Sequence, residues 1–218
     1  MRTVLCFGDS NTYGYDPQGR ASGAAERYPR AVRWCGVAQR ALGDAWDLIE
    51  EGLNGRTFVY EDPWHIETHL SGAHVLPTLL KSHLPLDAVV IMLGTNDVKP
   101  AFSPTLPNIA RSATVMLEQV RNFSWPASTC EPALLLVAPP RLRPQAAEGF
   151  FAEFDERSIE LSEHFADVYR TVAQTEGCAF LDAASVASAS DIDGIHLMPE
   201  GHEALGRAIA SKLISMFA

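Results

Sequence analysis

Two runs in this chain are apolar at every position, Val89-Val90-Ile91-Met92-Leu93 and Leu134-Leu135-Leu136-Val137. A strand with one wet face alternates apolar and polar residues, so unbroken runs of this length belong to strands covered on both faces. Such strands mark a parallel sheet, whose crossover helices lie on either side. Short apolar runs stand at 3–7, 46–50, 87–93, 133–138 and 178–181, with helical periods between them. Leu106, Ile109, Ala110, Ala113, Met116, Leu117 and Val120 recur at steps of three and four, as do Leu205, Ala208, Ile209, Leu213 and Met216. Pro199 and Glu200 suit the first turn of the second helix. This alternation predicts a single α/β domain over residues 1–218, a three-layer α/β/α sandwich on a five-stranded parallel sheet. A length of 218 residues is enough for one substantial core.

Charge narrows the class of partner. The 17 Lys+Arg against 27 Asp+Glu give a net charge of −10 with no basic stripe, which argues against nucleic acid as partner. No stretch approaches the roughly 20 apolar residues that span a bilayer, which argues against a membrane partner. The apolar start, 3–7, is too short for a secretory signal and leads into Gly8-Asp9, so a cytoplasmic chain is expected. Cys6, Cys35, Cys130 and Cys178 lack C-x-x-C spacing and read as free thiols of a reducing compartment.

Ligands of such sheets bind beyond the carboxyl ends of the strands, so the chemistry belongs in the loops that leave them. The first strand runs into Gly8-Asp9-Ser10, where Ser10 can present its hydroxyl to the crevice or simply cap a helix. Before the last helix stands Asp193-Gly194-Ile195-His196. With Gly194 permitting a tight turn, the carboxylate can reach imidazole Nδ1–H and leave Nε2 to take a serine proton; the bland alternative is a helix-entry turn with a surface histidine. In the loop 51–57, Gly55 can offer an unobstructed backbone N–H to an oxyanion or belong to a plain Asn-Gly turn. In Gly94-Thr95-Asn96-Asp97, Asn96 can offer its amide to the same oxyanion or cap the next segment. Nucleophile, two donors and an oriented base fall in order at loops that a doubly wound sheet gathers together.

These four segments resemble the four blocks of the SGNH hydrolase (GDSL esterase) superfamily, in order and over essentially the whole chain. Leu5-Cys6-Phe7-Gly8-Asp9-Ser10, Val32-Arg33-Trp34, Glu50-Glu51-Gly52-Leu53, Ile91-Met92-Leu93-Gly94-Thr95-Asn96-Asp97 and Asp193-Gly194-Ile195-His196 are similar to its bacterial arylesterase/acyltransferase branch. The resemblance implies a flavodoxin-like sandwich, a Ser10–His196–Asp193 triad, and an oxyanion hole of the Ser10 and Gly55 N–H groups with the Asn96 side chain. It implies no metal or organic cofactor, small ester substrates, and assembly into homo-oligomers. Members of the branch act on short acyl and aryl esters, and some transfer acyl groups to alcohols or peroxide. Asn11 and Asn54, beside Ser10 and Gly55, are the expected substrate-contacting side chains. Asn11 and its neighbours depart from the Leu and Trp of acyltransferase members, and a polar wall there favours hydrolysis over transfer.

Other readings compete. His65 and His69 have the i, i+4 spacing of a metal pair on a helix, but a His-Glu-x-x-His zinc helix has Glu where this chain has Ile66, and no metal is expected. A ligand-binding or assembly protein on the same fold, a thioesterase and a lysophospholipase are the alternative functions. His202 is expected on the surface. Segments 60–71 and 139–151 are expected to shape the entrance, with no long insertion to act as a lid.

Overall fold

A computed structural model of the chain describes residues 1–66, 68–149 and 152–218. The chain opens with β1 (Arg2–Gly8), the short helices α1 (Ser10–Tyr13) and α2 (Pro17–Ser22), α3 (Trp34–Leu42) and β2 (Trp46–Gly52). It continues through α4 (Gly72–Ser82), β3 (Ala88–Met92), α5 (Leu106–Arg121) and β4 (Ala133–Ala138), and closes with α6 (Glu156–Glu163), α7 (Phe165–Glu176), β5 (Ala179–Asp182) and α8 (Pro199–Met216). The five strands form one parallel sheet in the order β2-β1-β3-β4-β5. The expected strands and the two expected helices are present, with ends shifted by at most two residues.

The unbroken apolar runs have a direct cause. Val89, Ile91 and Leu93 enter one core with Leu134, Leu136, Ile109, Met116 and Tyr169, beneath α4, α5 and α7. Val90 and Met92 enter the other with Leu135, Val137, Trp34, Leu205 and Ile209, beneath α3 and α8. Alternate residues of each central strand therefore meet different helix layers, and neither face tolerates a polar side chain. From β1 the chain crosses outward to β2, then returns past β1 to β3. Right-handed crossovers in opposite directions put α3 on one face and α4 on the other. The reversal lies between β1 and β3, where a crevice opens beyond the strand ends. Among the described residues, no helix is long and apolar enough to cross a membrane.

Candidate active site

β1 ends at Gly8, and Asp9 rather than Ser10 caps the helix that follows: its Oδ1 accepts from Asn11 N–H at 2.9 Å. Ser10 is the first residue of α1, its hydroxyl released from capping and its backbone N–H lying in the first turn, where no intrahelical acceptor exists. Ser10 Oγ lies 2.9 Å from His196 Nε2, and His196 Nδ1 lies 2.6 Å from Asp193 Oδ2. A proton on Nδ1 donates to the carboxylate and leaves Nε2 to accept from the serine hydroxyl. Asp193 Oδ1 accepts from Ser190 Oγ, Ile195 N–H and His196 N–H at 2.8, 3.0 and 3.1 Å, and Gly194 takes a φ of +71° to allow this turn. Burial pushes the Asp193 carboxyl up, but the hydrogen bond and charge of His196, with those two backbone N–H groups, outweigh it and hold the group at about 2.

The donor loops are tied to this line. Gly55 adopts a φ of +78° in a turn closed by Arg56 N–H to Leu53 O at 3.2 Å. Any side chain there meets backbone strain as well as Leu70 Cδ1 at 3.0 Å. Arg56 is buried: Nη1 donates to Gly8 O at 2.9 Å and to Glu51 O, and its guanidinium covers the Phe7 ring at 4.3 Å. Burial lowers its pKa to about 10. Asn96 Nδ2 donates to Arg56 O at 3.1 Å, and Asp97 accepts from Phe58 N–H at 2.9 and 3.1 Å. Burial pushes Asp97 up to about 7, with the nearby Asp9 charge adding to it, and pushes Asp9 to about 6.

Ser10, Gly55, Asn96, His196 and Asn54 line one cleft of about 560 Å³. Asn54 is exposed at its rim. Asn11 departs from expectation. It is buried, its Nδ2 donates to Ile195 O at 3.2 Å and its Oδ1 accepts from Leu197 N–H at 2.9 Å. The amide is engaged on both sides of His196 and holds the 195–197 loop, and among the described residues Asn11 is not one that lines the cleft, so its side chain does not form the polar wall expected beside Ser10. His202 is likewise not a surface residue. It is fully buried, its Nδ1 accepting from Trp34 N–H at 3.3 Å.

Several cleft residues carried no sequence signal. The Tyr15 ring lies 4.2 Å from the His196 imidazole at 34°, brought there by the left-handed turn at Gly14. Lys99, Glu153 and Phe154 also line the cleft. Of the expected entrance segments, 60–71 contributes His65, Thr68 and Leu70. The other, 139–151, contributes Gln145, Ala146, Glu148 and Gly149 to an adjoining groove, while Glu67, Phe150 and Phe151 lie outside the described residues. The His65–His69 pair does not form, because residues 62–66 make turns: His65 contacts Asp62, and His69 contacts Glu61. Glu61, His69 and His74 bring donor atoms within 4.8 Å, yet the two imidazoles stack 4.0 Å apart at 18°. Nearly parallel rings cannot both aim a lone pair at one ion.

Solved structures of similar fold cover almost the whole chain. Est24, a carbohydrate acetylesterase from Sinorhizobium meliloti, is 39% identical with a TM-score of 0.92, covering 100% of both chains. A carbohydrate acetylesterase family member from the same organism is 40% identical at 0.91, and the aryl esterase of M. smegmatis 38% identical at 0.90, each covering 99% of both chains. A comparison with curated proteins finds no match. The model of the GDSL-like lipase/acylhydrolase family matches residues 6–204, nearly the full length that builds the sheet and its loops, and the chain therefore belongs to that family of SGNH hydrolases.

Proposed function

We propose that this SGNH hydrolase is a serine esterase that cleaves short-chain acyl and aryl esters, acetylated carbohydrates among them, through an acyl-enzyme. The reading rests on one observation above all, the continuous line from Asp193 through His196 to Ser10 at 2.6 and 2.9 Å, opening on a cleft that Gly55 and Asn96 also line. Ser10 Oγ attacks the ester carbonyl carbon as His196 Nε2 takes its proton. The oxyanion is held by the N–H groups of Ser10 and Gly55 and by the Asn96 amide. His196 then protonates the departing alcohol, and a water activated by the same imidazole releases the acid. Asp193 holds the tautomer and stabilises the imidazolium. Asn11 acts through the base loop, and Tyr15 packs against the imidazole.

The substrate class is supported by the carbohydrate acetylesterases and aryl esterase that this chain resembles, and by a cleft of about 560 Å³, a volume suited to small esters. A fluorophosphonate probe is expected to label the protein covalently, and Ser10→Ala to abolish both labelling and hydrolysis of 4-nitrophenyl acetate. Folded wild-type protein that takes no label would favour a binding or assembly role on the same fold.

A further inference from the structure

The cleft over Ser10 has two hollow neighbours, and one side chain borders all three. A groove of about 760 Å³, lined by Gln145, Glu148 and Ile192 among others, shares Glu153, Phe154 and Ile195 with the cleft. A third hollow of about 460 Å³ shares Lys99 and Glu153 with it. The wall between cleft and groove is thus built from 153–154 and Ile195. Phe154 is rooted in the core, and the capping box of Asp155 with Ser158 follows at once. Ser158 Oγ donates to Val98 O at 2.7 Å, which fixes this end of the wall beside Lys99.

Glu153 is fixed differently. Lys99 Nζ donates to Glu153 Oε2 at 2.8 Å and to Asp62 Oδ2 at 3.1 Å. The Lys99 and Asp62 side chains are 4% and 1% exposed, whereas that of Glu153 is 48% exposed. An ammonium with so little water needs its carboxylates beside it. Asp62 is itself fixed by Trp64 N–H, which donates to its Oδ1 at 2.9 Å, and the His65 imidazole lies 3.2 Å from its Oδ2. Lys99 is therefore a fixed post, and Glu153 is tied to it from the solvent side. The groove beyond carries Asp193 and Ile195 in its wall, so it lies on the side of the base loop. His196 must return its proton to the departing oxygen, which puts the alcohol half of an ester on that side.

We propose that Glu153, pinned by Lys99, is a specificity-determining residue that closes the Ser10 cleft off from this groove and so limits the size of the alcohol half of the ester. The proposal rests on the esterase reading above. Phenyl acetate and 2-naphthyl acetate share an acid and release phenols of similar acidity, so the ratio of their kcat/KM values reads alcohol size. Glu153→Ala is expected to raise the naphthyl-to-phenyl ratio about tenfold, the scale on which an apolar pocket discriminates by size. Glu153→Gln keeps the length and an acceptor for Lys99 and stays near the wild type. The phenyl hexanoate-to-phenyl acetate ratio, which reads the acyl side, stays unchanged. Both ratios are insensitive to a general loss of folded protein. A naphthyl ratio that does not move, or a change confined to acyl length, overturns the proposal. Calorimetric binding of 2-naphthol against phenol needs no turnover and is expected to shift with the same sign. A protein that hydrolyses no ester sinks the esterase reading, while the binding ratio still decides the wall.

Discussion

The side-chain amide of Asn96 carries two N–H donors, and among the described residues one of them is held, by the Arg56 carbonyl at 3.1 Å. That bond orients the amide and leaves the second donor for the cleft that Asn96 lines. Asn96→Ala is expected to lower kcat by about 10²–10³ with KM little changed, read by steady-state kinetics on an acetate ester. A loss under about tenfold removes Asn96 from the oxyanion hole. At this scale, legibility follows chemistry. Ser10, Asp193 and His196 stand out because few residue types can act as nucleophile, orienter and base, and the geometry joins all three. Asn11 looks equally functional in the sequence, yet its work lies in contacts 184 and 186 residues away, which no local pattern encodes. Tyr15 and Glu153 reach the cleft through the paths of their loops, and neither residue type announces a role.

Helix α8 shows what an element adds. His202 stands three residues before Leu205 and seven before Ile209, on the stripe that faces the core, so the period that identifies the helix also marked this histidine as buried. Its Nδ1 accepts from the first residue of α3, joining the two helices that cover one face of the sheet. Burial, with the charges of His196 and Arg33, lowers its pKa to about 4 from an ordinary 6.5. A depressed histidine favours the folded state fully above the ordinary value, and this contribution is lost as pH falls toward 4. The raised carboxyls of Asp9 and Asp97 carry the opposite sign, since the folded state binds their protons more readily as pH falls toward and below 6. The useful comparison is therefore between wild type and His202→Gln, which cannot titrate. The variant is expected to be less stable by about 1–3 kcal/mol at pH 7 in urea unfolding, with the gap narrowing at pH 4.5. A gap that widens on acidification contradicts a buried neutral His202.

Across the whole molecule, two cores separated by one sheet place the four loops at a common edge. Leu136 is fully buried in β4, within the core beneath α4, α5 and α7, and lies outside the Ser10 cleft. Leu136→Ala is expected to cost about 2–5 kcal/mol in urea unfolding, because the sheet between two helix layers cannot collapse into the void. Activity per fluorophosphonate-titrated site is expected to be unchanged, and a fall there would mean that the cores also tune the cleft. The layers are legible in the chain's local pattern, since runs apolar at every position demand cover on both faces, and so are the loops that carry reactive side chains, since those residue types are few. Which side chains meet follows from the packed fold. It turned Asn11 from the cleft to the backbone beside His196 and set Glu153 on Lys99 between two cavities. The difference is one of range: periodicity and turn chemistry act over a few residues, whereas hydrogen bonds and ion pairs that aim a side chain join segments far apart in the chain. For Ser10 this meant that its neighbour Asp9 took the cap, and the hydroxyl was left for His196.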